Sequence, residues 1–285
     1  MEVCKMSNRT ITQALLRDYK ISLQCDEKSD NTIAKYLHDI RHFQIFTKGR
    51  TIDKSLTLEY KCELGKHYAI SSANSMIVAL NSFLRFAGWY ECQVKQFKLQ
   101  KKTYCTESQE LSKADYCSLV QTAEGNRNPR LSLLIQTICA TGIRVSEVPY
   151  ITVEAVQKGE ATVSCKGKTR KIFIVSALRK KLTQYAKASG IQSGVIFVTK
   201  SGRPMNRSNI WREMKELCKS SGVLPEKVFP HNLRHLFARI FYSIEKDIAK
   251  LADILGHSSI NTTRIYIVST GAEHRRRIEK MHLIL

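Results

Sequence analysis

Acidic side chains are scarce in this chain. Only 25 Asp and Glu stand against 46 Lys and Arg, which leaves a formal charge of +21 over 285 residues. An excess of that size points to a polyanionic partner, nucleic acid first and an anionic membrane surface second. The membrane is disfavoured by a further absence. No stretch approaches the roughly 18 consecutive apolar residues that a span needs, and no lysine-studded helix carries a strongly apolar opposite face. The opening MEVCKMSNRT lacks the apolar core of a signal peptide, so a cytoplasmic protein is expected. Cysteine is present nine times but without CxxC spacing, and an odd number cannot all pair within one chain. In a reducing compartment these thiols read as small core hydrophobes.

Familiar catalytic signatures are missing too. There is no HExxH, and no cluster of Asp or Glu suited to a two-metal nuclease. The run CKGKT, residues 165–169, has part of a phosphate-binding P-loop, but the required first glycine falls on Thr162. It also leads from one strand-like run into another, so no helix N-terminus follows to receive a phosphate. Neither cofactor nor metal is expected. Any phosphoryl chemistry falls to cations and a side-chain nucleophile.

What is present is helical periodicity. A chain of this length suits one small and one larger domain. Ile11, Leu15 and Tyr19 mark a first helix; Ile33, Leu37, Ile40 and Phe43, after caps at Ser29 to Asn31, mark a second. Leu56 to Tyr68 gives a third. Met76, Leu80, Phe83 and Leu84 give a fourth, opened at Ser71 and Ser72 and closed near Gly88. The segment KQFKLQKKTYCT, with four lysines and no acid, reads as a basic linker. The predicted organisation is therefore a helical domain over 8–94, a linker over 95–108 and a second domain over 109–285. In the second domain Ser112 and Pro129 mark helix starts and Gly142 a stop. ATVSC and KIFIV read as a hairpin around the polar turn Lys166 to Arg170. Helices are predicted over 177–188, 206–220, 230–243, 247–255, 261–269 and 272–282.

Several residues in this half can carry chemistry. In FPHNLRHLF, Pro230 opens a helix and places His231 and Arg234 on neighbouring first-turn positions, where an imidazole and a guanidinium fork can seat a phosphodiester. Taken alone, HxxR is equally the pattern of a helix-end salt bridge. Arg144 in ATGIRVSE follows a glycine break and has Glu147 as an alternative local partner. Lys166 sits at the hairpin tip, where a solvated lysine is ordinary. In ILGHSSINTTRIY, His257 and Tyr266 are nine apart and would lie on opposite faces of one unbroken helix. Gly256 can close one helix, and Ser259 or Asn261 can cap a new one with Tyr266 in its second turn, so the two can converge. Tyr266 between two isoleucines also fits a core aromatic.

Arg144, Lys166, His231, Arg234, His257 and Tyr266 stand in the order and approximate spacing of the tyrosine recombinase (phage integrase) family. From about Leu111 onward the chain resembles that family. The resemblance implies a mainly α fold: a small helical core-binding domain, then a mixed α+β catalytic domain with a small antiparallel sheet, clamped together around double-stranded DNA. It implies that Tyr266 attacks the scissile phosphate to give a 3′-phosphotyrosyl link, with no nucleotide triphosphate or metal. Arg144 and Arg234 would grip the non-bridging oxygens, His231 would take the phenol proton, and His257 would donate to the phosphate. Lys166 would protonate the leaving 5′-oxygen, with Lys168 two residues away as the alternative. Pro149 and Cys165 depart from the common pattern around this set. The start near Asn8 implies a simple type without an arm-binding domain. The tail GAEHRRRIEKMHLIL would form a helix docking on a neighbouring subunit, with a dimer on one site and a tetramer in the synapse. A non-cleaving DNA-binding factor and a topoisomerase-like relaxing enzyme are the competing readings; the first would lack Tyr266 or an arginine, whereas the second shares the chemistry.

Overall fold

The computed structural model describes residues 9–99, 110–165, 168–266 and 279–281. The chain divides into two compact units, Met1–Lys101 and Lys102–Leu285. No helix among the described residues is long and apolar enough to cross a membrane.

The first unit packs α1 (Gln13–Cys25), α2 (Asp30–Thr47), α3 (Lys54–His67) and α4 (Ile70–Phe86) around one apolar core. Thr12, Ser29 and Asp53 cap the first three, each accepting a backbone N–H from three residues ahead. Tyr19, Phe43, Tyr60 and Phe83 are buried at the centre, and Tyr19 meets Phe83 edge-to-face at 5.2 Å. Beyond α4 the chain folds back over it. Asn81 exchanges hydrogen bonds with the Val94 backbone, and Asn74 with that of Phe97.

The second unit is built around α6 (Pro129–Thr141), whose Leu131, Leu133, Leu134, Ile135 and Ile138 are all buried. A helix apolar on so many sides has to be surrounded. Against it pack α5 (Lys113–Gly125), α8 (Ser176–Ala188) and α10 (Pro230–Glu245), while the short α7 (Val153–Lys158) packs on α8 and α9 (Arg207–Ser221) on α5. Strands β1 (Glu160–Cys165) and β2 (Lys168–Phe173) form a two-stranded antiparallel sheet with Val163 opposite Arg170. Two small helices, α11 (Ile248–Leu255) and α12 (Ile260–Arg264), finish the described body. The architecture is thus mainly α with a small antiparallel sheet, as the resemblance implied. The Ser112, Pro129 and Gly142 signals sit at the helix ends where they were expected. Lys166 and residues 267–278 and 282–285, which include most of the predicted terminal helix, lie outside the described residues.

Two expectations are corrected. The polar run Lys166 to Arg170 is not all turn: from Lys168 it is strand, and the two-residue alternation puts Arg170 on the face that carries buried Ile172. Nor is Tyr266 in the second turn of a helix. Helix α12 ends at Arg264, and Tyr266 N–H reaches back only three residues, to Thr263 O at 3.0 Å, a tightened turn just past the helix.

Candidate active site

Helix α10 begins at Pro230, which supplies no amide and has the fixed φ that a first helical turn wants. His231 and Arg234 follow one turn apart, and His235 lies four residues after His231 on the same face. Across from them, Gly256 closes α11 in the left-handed region at φ 63°. The chain turns there, and His257 N–H bonds Ala252 O at 2.9 Å. This break brings His257 and Tyr266 to one place.

Tyr266 is 6 % exposed, its ring packed between imidazoles and the apolar Ala238, Leu251 and Leu255. Its hydroxyl lies 3.4 Å from His231 Nε2. The His235 ring stacks on the phenol with centroids 4.3 Å apart, the His257 ring lies at 5.2 Å, and the Arg234 guanidinium is 5.9 Å from the ring centre.

Arg234 is 1 % exposed. It donates to Gly142 O, to Leu255 O at 2.7 Å and to His257 Nε2 at 3.0 Å, while its Nε is buried without a partner. Among the described residues no carboxylate pairs with it. Desolvation first, then Arg144, push its pKa from 12.5 down to about 10. A buried, uncompensated cation costs several kcal/mol by general precedent, so this arrangement suits an incoming anion.

Arg144 starts the 3₁₀ turn Val145–Tyr150. Its Nη1 donates to Glu147 Oε1 at 2.9 Å, its backbone N–H to Glu147 Oε2 at 2.7 Å, and its Nη2 to Gly256 O at 3.2 Å. Burial alone would raise the Glu147 pKa; the Arg144 amide, the Arg170 charge and the Arg144 side chain outweigh it and hold the carboxyl below its ordinary value.

All three histidines are kept neutral. Partial desolvation, then Arg234 and Arg144, lower the pKa of His231; desolvation, then His231 and Arg234, take His235 to about 4; desolvation, then Arg234 and Arg144, take His257 to about 4. Since Arg234 can only donate, His257 Nε2 is the acceptor, so Nδ1 carries the proton and donates to Thr263 Oγ1 at 2.8 Å. The ring in this state offers the site a lone pair and no N–H. Among the described residues no group of three or more His, Cys, Asp or Glu is placed to hold a metal ion.

Residues 109–273, more than half of the chain, match the phage integrase family, and residues 16–91 match the phage integrase N-terminal SAM-like domain. The chain belongs to the phage integrase family. The tyrosine recombinase XerA of Pyrococcus furiosus is 28% identical to this recombinase over 289 residues, covering 98% of each chain. Tyrosine recombinase XerC of Lacticaseibacillus casei is 29% identical over 278 residues, covering 89% of this chain and 93% of its own. Among solved structures, a lambda integrase dimer bound to a core site matches the fold with a TM-score of 0.72 at 18% identity, over 90% of this chain and 95% of that one.

The structure gathers Arg144, His231, Arg234, His257 and Tyr266 of the recombinase into one cluster, whereas Lys166 lies outside the described residues and only the backbone of Lys168 is described. Three residues that sequence reasoning did not single out join them. The spacing of His235 from His231, one helical turn, signals it. Thr263 fixes the His257 tautomer. Arg170, hidden in an apparent turn, pairs with Glu147.

Proposed function

We propose that this recombinase breaks and rejoins double-stranded DNA at specific core sites, with Tyr266 as its nucleophile. The observation that carries the reading is the contact of the Tyr266 hydroxyl with a neutral imidazole, His231, beside a buried arginine that has no carboxylate partner.

The steps balance without an external energy source. Tyr266 Oη attacks phosphorus, its proton passes to His231 Nε2, and the bond from phosphorus to the 5′-oxygen breaks. The products are a 3′-phosphotyrosyl link and a 5′-hydroxyl that takes its proton from Lys166, or from Lys168. A 5′-hydroxyl from another strand then attacks the same phosphorus, and the phenol leaves. A free phenol is only about one part in a thousand ionised at neutrality, so a base within reach matters. Arg144 and Arg234 neutralise charge on the non-bridging oxygens; loss of one such donor usually costs about a hundredfold or more in rate. His257 donates to the phosphate only after Arg234 turns from it to the DNA and the nearby anion favours its protonation.

Two copies on one core site and four in a synapse complete the reaction in the cytoplasm, coupled through the segment after Gly271. Truncation there followed by sizing on DNA tests the coupling, and an unchanged multimer rejects it. The function itself is tested with a nicked suicide substrate. A denaturant-resistant protein–DNA adduct is expected, absent in Tyr266→Phe. An adduct retained in that variant moves the nucleophile elsewhere.

A further inference from the structure

Arg170 joins three parts of the catalytic unit that are distant in sequence. It projects from β2, and one guanidinium nitrogen donates to Glu147 Oε2 while the other donates to Ile254 O on α11. Its side chain is 13% exposed and that of Glu147 is 3% exposed. Its stem also fills the space beside Gly256, where an added Cβ would come within 2.6 Å of Arg170 Cδ. The residue therefore touches the carboxylate that orients Arg144 and the turn that carries His257.

How Glu147 divides its oxygens gives this contact a consequence. Oε1 takes Arg144 Nη1, while Oε2 takes the Arg144 amide and Arg170. A free carboxylate beside an arginine closes into a two-pronged fork, each oxygen on its own nitrogen. Arg170, together with the Arg144 amide, occupies the second oxygen and opposes that. The Arg144 guanidinium is left attached by one nitrogen, with Nη2 turned to Gly256 O and so available to an anion.

We propose that Arg170 is a positioning residue for strand cleavage: by sharing Glu147 and tying β2 to the end of α11, it keeps Arg144 from collapsing onto the carboxylate and holds the His257 turn. The proposal rests on the cleavage reaction described above. Without Arg170, Glu147 would draw Arg144 into a full fork and away from the phosphate. A displacement of about 1 Å at such a group can cost on the order of a hundredfold in rate.

The test measures single-turnover cleavage of the nicked suicide DNA at saturation, DNA affinity and thermal melting for R170Q, R170K, E147Q and R170Q/E147Q, with Y266F as control. R170Q is expected to cleave at least about tenfold more slowly while its DNA affinity stays within about twofold. R170K keeps charge and bulk but cannot reach Glu147 and the Ile254 carbonyl together. It is expected to melt with the parent and still cleave slowly, so it decides the matter even if R170Q folds poorly. Because part of the effect of Arg170 runs through Glu147, the loss in the double variant is expected to fall short of the product of the two single losses. Parent-like cleavage by R170K, or losses that multiply in the double variant, would overturn the proposal. If Y266F still forms the adduct, the assigned nucleophile fails instead, and the two failures are distinguishable.

Discussion

The guanidinium groups of Arg144 and Arg234 donate to consecutive carbonyls at the end of α11, Arg144 to Gly256 O at 3.2 Å and Arg234 to Leu255 O at 2.7 Å. Like charges gathered in this way lower each other's stability, and the unpaired carbonyls of a helix end offset only part of that. An anion between them relieves more. Inorganic phosphate should therefore raise the melting temperature of the recombinase, and Arg234→Gln should lose most of the rise. Thermal melts across a phosphate series check this; an equal rise in both proteins would place the anion elsewhere.

His231 must be neutral to accept the phenol proton, and its pKa lies below the ordinary 6.5 because partial desolvation and then Arg234 and Arg144 disfavour the cation. A base of lowered pKa stays active as the pH falls, so the acid limb of kcat/KM, which reports the free enzyme, should have its midpoint below 6.5. A midpoint at or above 6.5 would show another group acting as base. His231→Gln should lose the limb along with most of the rate.

Stability carries a related sign. His235 has a folded-state pKa of about 4 against an ordinary 6.5, through desolvation and then its neighbours His231 and Arg234. The unfolded chain binds the proton first as the pH falls, so the contribution of His235 is complete above 6.5 and is lost progressively toward 4. By the pKa difference this loss is at most about 3 kcal/mol. Melting in a pH series should fall less steeply for His235→Phe, which keeps an aromatic ring against Tyr266. Parallel curves would contradict the assignment.

Gly142 joins α6 to the Arg144 turn at φ 64°, and an added Cβ would lie 2.5 Å from Phe237 Cδ1 on α10. Gly142→Ala combines a left-handed strain with a clash and should cost about 1–3 kcal/mol, read as a lowered melting temperature. Its carbonyl also holds Arg234, so cleavage should slow as well. An unchanged melt would show that the turn relaxes freely.

Local chemistry made much of the fold legible in advance. Ser29, Ser112, Pro129, Gly142 and Gly256 each act within one turn of themselves, and each sits at the helix end that its chemistry favours. The break at Gly256 likewise foretold that His257 and Tyr266 share a site. Part of what escaped depends on contacts distant in sequence. Arg170 reads as turn because a lysine- and arginine-rich run ordinarily faces water, and the partners that make its burial tolerable, Glu147 and the Ile254 carbonyl, come from other elements. Helix α7 is six residues long, too short for its periodicity to stand out. Tyr266 falls past α12 because its N–H bonds Thr263 O, three residues back, a tightened turn that no residue of NTTRIY announces.

The most direct measurement is identification of the amino acid joined to DNA. Adduct trapped on nicked DNA, digested and sequenced by mass spectrometry, should carry the nucleotide on Tyr266, linked to a 3′-phosphate. Attachment at any other residue, or a link to a 5′-phosphate, would contradict the account.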